Sequence, residues 1–316
     1  MTDRKFLVSP GPHLQGGTSV SKIMYLVLLA LLLPSTAGIY FFGFYALSVI
    51  AVSITAAIIT EYAIKKLRKR PFIMDGSSIL TGLLLALVLP PTIPLWMVAL
   101  GSIFSIAIVK EAFGGLGHNI FNPALGGRAF LAACFALDMT TWVAPMGFGA
   151  DAITTATPLN NNFAWSGNNL SLYQDLLFGN TGGSIGETSA LMLIIGGVFL
   201  LAIGIIKWQI PIVYIGTVAI LTLIMGDDVL FHLLAGGLMI GAFFMATDYV
   251  TSPITSTGKI IFGIGAGILT VAIRQFGGLP EGVCYSILFM NAVTPLIDRY
   301  VKVRPYGLVK KVVSES

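Results

Sequence analysis

Apolar runs about as long as a bilayer is thick recur along this chain, punctuated by short clusters of basic residues. A spanning helix needs about 20 mostly apolar residues. The pattern predicts helices over 23–43 and 44–64, followed by the basic cluster Lys65-Lys66-Leu67-Arg68-Lys69-Arg70. The runs 77–90 and 95–109 come next, joined by the turn Pro90-Pro91-Thr92-Ile93-Pro94. Each is short for a full crossing, so the turn is expected partly within the membrane. Lys110 and Glu111 then bring the chain back, and the run 119–138 leads away again. Five more runs follow at 188–206, 210–225, 229–247, 259–273 and 281–297. The expected fold class is therefore an all-α polytopic membrane protein of about ten transmembrane helices.

Charge gives these runs an orientation. Arg4, Lys5 and Lys22 precede the first run, and Arg299, Lys302, Arg304, Lys310 and Lys311 follow the last. Basic residues favour the cytoplasmic side, so both termini are expected there. Lys207 marks a cytoplasmic turn and Asp227-Asp228 an external one; Arg274, at an external end, breaks the bias. The segment before the first run carries no cleavable signal pattern. This reading divides the chain into a cytoplasmic segment 1–22, a first transmembrane half 23–138, an external segment 139–187, a second half 188–297 and a cytoplasmic tail 298–316. The external segment is rich in Asn, Thr, Ser and Gly and has no Lys or Arg. A polar stretch of roughly 50 residues is long for a structureless loop, which points to function.

Composition narrows the solvent and the partners. Of 316 residues 56% are hydrophobic and 10% charged, against about a quarter charged in soluble domains. So little charge cannot cover a soluble surface, and the lipid bilayer is the expected partner. The net charge of +4 sits in the clusters that orientation already explains, so no nucleic-acid role is assigned. Cys134 and Cys284 are too few to ligate an iron–sulfur cluster, which takes four ligands. They read as small apolar residues within helices.

An internal repeat is visible. Phe113-Gly114-Gly115-Leu116-Gly117 is followed by Asn119, Asn122-Pro123 and Arg128. Phe276-Gly277-Gly278-Leu279-Pro280 is followed by Asn291, Thr294-Pro295 and Arg299. Thr81-Gly82-Leu83 resembles Gly236-Gly237-Leu238. The two copies start from opposite sides of the membrane, the mark of an inverted repeat whose broken helices meet near the midplane. Asn119, Asn122 and Arg128 are candidates for a cofactor or ion path; capping and kinking compete for the asparagines, and snorkelling for the arginine. Asp248 is the best acidic candidate for a cation ligand, and helix capping competes there too. Lys110 and Glu111 read as an interfacial ion pair. His13, His118 and His232 are isolated, and no metal is assigned to them.

The stretch Asp151-Ala152-Ile153-Thr154-Thr155-Ala156-Thr157-Pro158 resembles the flavinylation signature Asp-x-x-Ser/Thr-Gly-Ala-Thr, with Thr155 where Gly is usual. The resemblance makes Thr157 the residue that a flavin transferase joins to FMN through its phosphate. Pro158 disfavours helix at Thr157, and Ala156 leaves the hydroxyl uncrowded. A Ser/Thr-rich turn capped by Asp is the plain alternative. Further blocks widen the match: Asp75-Gly76-Ser77-Ser78, Thr81-Gly82-Leu83-Leu84, Pro90-Pro91, Gly117-His118-Asn119-Ile120-Phe121-Asn122-Pro123-Ala124, Gly127-Arg128-Ala129-Phe130 and Thr247-Asp248-Tyr249-Val250-Thr251-Ser252-Pro253. Together they resemble the family containing the D subunit of the Rnf complex and the B subunit of the sodium-pumping NADH:quinone reductase. The short N-terminal segment favours the Rnf member.

That resemblance implies a membrane redox subunit in a complex that couples electron transfer between ferredoxin and NAD to export of sodium ions or protons. It implies partners among the A, B, C, E and G subunits of the Rnf complex, an inner-membrane location, and covalent FMN on the outer side. It also implies a non-covalent flavin, riboflavin, near this chain, and a fold similar to that of urea channels. Two rivals stand beside it: a urea-channel-like transporter without redox role, and a structural anchor for partner subunits.

Overall fold

The computed structural model describes residues 19–145, 154–155, 169–277 and 282–302. These residues are mostly helical, and α1 (Val20–Phe42), α2 (Phe44–Leu67) and α12 (Ser256–Phe276) are each long and apolar enough to cross a membrane. All three present large apolar side chains outward, including Leu29, Leu32, Ile59, Ile264 and Ile268. An apolar exterior around a packed interior is the pattern expected where lipid is the solvent.

Several helices are shorter than their apolar runs, and the backbone explains why. The run 77–90 forms α3 (Ser77–Leu87), and the chain then leaves the helix to reach α4 (Leu95–Phe104). Carbonyls at a helix end need partners. The Gly186 N–H donates to Leu87 O at 2.7 Å and the Ile185 N–H to Leu89 O at 3.1 Å. A distant segment thus supplies what the broken helix has lost. From α4 the helix continues as a π-helical stretch, Ser105–Glu111. The run 119–138 begins its helix late, as α5 (Pro123–Cys134), because Asn122 caps it and Pro123 occupies the first helical position. A short helix, α6 (Ala136–Thr140), follows.

The segment expected to be structureless is not entirely so. Trp142–Val143 (β1) pairs antiparallel with Thr154–Thr155 (β2), and α7 (Asn169–Phe178) follows. Leu172 and Leu176 of α7 pack with Ala235 in a small separate cluster.

The second half follows α7. Its helices are α8 (Ala190–Ala202), α9 (Gln209–Met225), α10 (Val229–Leu234), α11 (Leu238–Ile240) with a π-helical continuation Gly241–Met245, α12, and α13 (Val283–Tyr300). The run 229–247 is therefore interrupted between Leu234 and Leu238, and the run 259–273 is longer than expected. In the first half α2 packs on α3 and α4; in the second α9 packs on α12 and on the π-helical stretch after α11. Across the halves α1 packs on α8 and α5 on α13. Close approach depends on glycine. A Cβ at Gly82 would lie 2.8 Å from Ile54 Cα of α2, and one at Gly267 would lie 2.6 Å from Thr217 Cβ of α9.

Candidate functional site

The interruptions converge on a cleft between the two halves. Its walls come from α1, α3, α5, the end of α8, and the turn that follows the second π-helical stretch. The space within it open to a water-sized sphere is about 80 Å³. Leu80, Leu84, Leu200, Ile206, Phe243 and Phe244 give it apolar walls. Ser77, Thr81, Lys110, Asn119, Asn122 and Asp248 place polar groups among them. Apolar walls with few convergent polar groups are the usual make-up of a small-molecule or cofactor site.

Each polar group has a local reason for its position. The Asn122 side-chain oxygen accepts from the Ala124 and Leu125 N–H groups at 3.0 and 3.3 Å, and so caps α5. Its amide nitrogen donates to Met245 O, the carbonyl that ends the second π-helical stretch. Asn291 of α13 completes the joint. With its oxygen turned toward the Asn122 N–H at 3.1 Å, its nitrogen donates to Ile287 O and Thr251 O. Thr294 also donates to Thr251 O, at 3.1 Å. Asn119 is buried and donates to Phe121 O. Asp248 accepts from the Val250 N–H and the Thr251 hydroxyl, which is a capping arrangement. Among the described residues no cluster of three acidic, His or Cys side chains is present to hold a metal ion.

Charge enters the cleft through Lys110, which is 2% exposed. The expectation that it pairs with Glu111 is wrong. Its ammonium donates to Glu61 Oε2 at 3.0 Å and to Ser77 Oγ at 2.7 Å. The other Glu61 oxygen meets Lys65 Nζ at 2.5 Å. Glu111 faces Arg68 instead, which also donates to the Glu111 carbonyl at 2.6 Å. Neighbouring residues on a helix point to different sides, so Lys110 and Glu111 take different partners. Ser77 passes the contact on: its hydroxyl and its N–H donate to Asp75 Oδ1 at 2.6 and 2.9 Å. Burial pushes the Asp75 carboxyl up. The Ser77 hydrogen bonds and the Lys110 and Lys65 charges outweigh it and hold the group below the usual carboxylate range.

Arg128 lies elsewhere. It is 7% exposed and so does not snorkel; it meets Glu187 at 3.9 Å, at the segment that pairs with the end of α3. Arg274, which breaks the charge bias, donates to the carbonyls of His232 and Ala235, at the end of α10. Both arginines therefore serve backbone breaks or buried acids. Cys134 and Cys284 are both free thiols, Cys134 exposed and Cys284 buried.

Ser77, which lines the cleft, and Glu61, which holds Lys110 there, escaped the sequence reading as site residues. The available signal was Glu61, a lone acid near the end of an apolar run, four residues before Lys65. Of the flavinylation-type stretch, Thr154 and Thr155 form β2. Asp151, Ala156, Thr157 and Pro158 lie outside the described residues.

Comparison with known proteins adds the family. Residues 7–307 match the family described as NQR2, RnfD, RnfE. A Clostridium ljungdahlii protein, named as the D subunit of a proton-translocating ferredoxin:NAD(+) oxidoreductase complex, is 51% identical, covering 96% of each chain. An Acetobacterium woodii protein, named as the D subunit of a Na(+)-translocating ferredoxin:NAD(+) oxidoreductase complex, is 46% identical over 98% of each. A Stutzerimonas stutzeri protein, named as the D subunit of an ion-translocating oxidoreductase complex, is 41% identical, covering 92% of this chain and 93% of its own. With a match over nearly its whole length, this chain belongs to the NQR2, RnfD, RnfE family.

Proposed function

We propose that this chain is the D subunit of an ion-translocating ferredoxin:NAD+ oxidoreductase of the Rnf type, and that it relays electrons through FMN esterified to Thr157. The observation that carries the reading is the flavinylation-type sequence 151–158, set in a chain that matches its family over 7–307. The β1–β2 pairing supports it, since it ties the chain two residues before Thr157 to the end of the first half. A covalent tether holds the flavin at a permanently high local concentration on a surface from which free FMN would diffuse away.

The membrane arrangement belongs to the same reading. Ten crossings result if α3 with the extended chain beyond it, and α10 with α11 and its π-helical continuation, each count as one broken span. The matching contacts of α2 and α9, and the pairing of α1 with α8 and α5 with α13, support an inverted repeat of the urea-channel type. The basic residues 65–70 and Lys207 then face the cytoplasm, as do both termini, and 139–187 lies outside. Partners are the other Rnf subunits, and a flavin transferase matures the chain. Sodium and proton appear in the names of relatives of similar identity, so overall likeness does not select the ion.

The cleft suits a second, non-covalent flavin. Its leucine, isoleucine and phenylalanine walls suit the faces of an isoalloxazine ring, and Asn119 and Asn122 offer hydrogen bonds to its edge. When bound, such a group supplies one-electron redox chemistry; the chain's residues hold it and exclude water. Arg128 is not part of this wall and is left to the buried pair with Glu187.

A denaturing gel viewed under ultraviolet light tests the covalent flavin. Protein made alongside a flavin transferase should give a fluorescent band, and a Thr157→Ala variant none. A dark band from the parent chain would favour a transporter, and a redox titration without flavin reduction would favour an anchor.

A further inference from the structure

Three polar residues at the start of α3 and the end of the first π-helical stretch form one continuous hydrogen-bonded chain. Lys110 and Ser77 line the cleft and are nearly inaccessible. Asp75 lies at the edge of the protein, beside the exposed Ile73 and Met74. The links are 2.7 Å from Lys110 Nζ to Ser77 Oγ and 2.6 Å from Ser77 Oγ to Asp75 Oδ1. An ammonium carries three protons. Glu61 and Ser77 take two, and Lys110 itself lines the cleft.

A buried ammonium in a membrane protein is costly and calls for a role. Capping α3 does not need it, because Asp75 already accepts from the Ser77 N–H. Nor does packing need it, since an apolar side chain would fill the same space without desolvating a charge. We propose that Asp75, Ser77 and Lys110 form a proton uptake path from the basic face of the protein to the cleft. The inference rests on the reading that the cleft holds an isoalloxazine group, whose ring nitrogen takes a proton when an electron arrives from the ferredoxin:NAD chemistry.

The proton balance closes. Lys110 gives one N–H proton to the acceptor in the cleft and becomes an amine. The Ser77 hydroxyl turns and returns a proton to that amine. Asp75, ionised at rest, takes a proton from water at the surface and hands it to Ser77 Oγ. One proton has then moved from bulk water to the cleft, and each path residue is back in its starting state. The surrounding charges tolerate the cycle. Glu61 and Asp75 are balanced by Lys65 and Lys110, while Arg68 and Glu111 form a separate pair. When Lys110 is neutral, Lys65 still holds Glu61, so no buried carboxylate is left without a partner.

The test uses the purified complex, reduced by dithionite in a stopped-flow instrument with a pH-indicator dye. Ser77→Ala removes the middle link and leaves the Lys110–Glu61 pair. It should slow dye-detected proton uptake by about tenfold or more, within the range of positioned proton transfer. Ser77→Thr restores the hydroxyl and should restore the parent rate. The amount of extractable non-covalent flavin should be unchanged in both. Parent-rate proton uptake in Ser77→Ala with full flavin content overturns the path. If Ser77→Ala sheds flavin, Asp75→Asn removes only the surface end, and parent-rate uptake there overturns it equally. A parent complex without extractable flavin overturns the cleft reading itself, and the path with it.

Discussion

At the scale of single residues, the instructive group is Lys110. Read along the sequence it stands beside Glu111, and two adjacent opposite charges suggest each other. Helical geometry separates them, and the true partner, Glu61, comes from a different helix 49 positions away. Removing one member of a buried ion pair leaves the other charge unmet, at a cost of about 3–5 kcal/mol. Glu61→Gln should therefore lower the thermal unfolding temperature in detergent markedly. The double variant Glu61→Met with Lys110→Met should recover most of that loss; additive losses in the cycle would contradict a buried pair. Asp75 makes a prediction in pH. Its carboxyl is held below its ordinary value of 3.8, so the stability it adds is fully present above that value. It is lost as pH falls through the lowered folded value. The gap in unfolding temperature between parent and Asp75→Asn should stay constant from neutral pH down to about pH 4 and close below it.

The helices and their breaks were partly legible. The apolar runs located α1, α2, α8 and α9 closely, because length and hydropathy alone decide a continuous helix. They missed the interruption within 229–247 and the late start of α5. Runs of apolar residues do not reveal where a backbone leaves the helix; that depends on which distant groups take over its hydrogen bonds. Gly186 N–H to Leu87 O and Asn122 to Met245 O are such substitutions, spanning 99 and 123 positions. Asn122-Pro123 did signal a helix start, and the structure makes Asn122 a cap as well as a wall of the cleft. Asn122→Ala should cost about 1 kcal/mol for the cap and more for the freed Met245 carbonyl, read as a lower unfolding temperature. Asn122→Asp keeps the cap acceptor and should recover only the first part. Helix contacts carry a similar test. At Gly82 an added Cβ meets the α2 backbone rather than a flexible side chain. Gly82→Ala should destabilise by about 1–3 kcal/mol, the usual range for overpacking, whereas a parent-like melt would contradict that close approach.

For the molecule as a whole, membrane character and family were legible, because composition and many short sequence blocks carry them redundantly. The cleft was legible only in fragments. Asn119, Asn122 and Asp248 were named from sequence, but Ser77 and the Glu61 that holds Lys110 were not, and Arg128 was grouped with a site it does not line. What sequence lacks is the docking of one half on the other, through α1 on α8 and α5 on α13, which creates the cleft. The proposed function turns on a chemical bond at Thr157. Mass spectrometry of the proteolytic peptide carrying 151–158, from complex matured with its flavin transferase, measures that bond directly. The expected peptide is heavier by one FMN less one water, with the added group on Thr157. An unmodified Thr157 in a complex that still moves electrons from ferredoxin to NAD+ would contradict it.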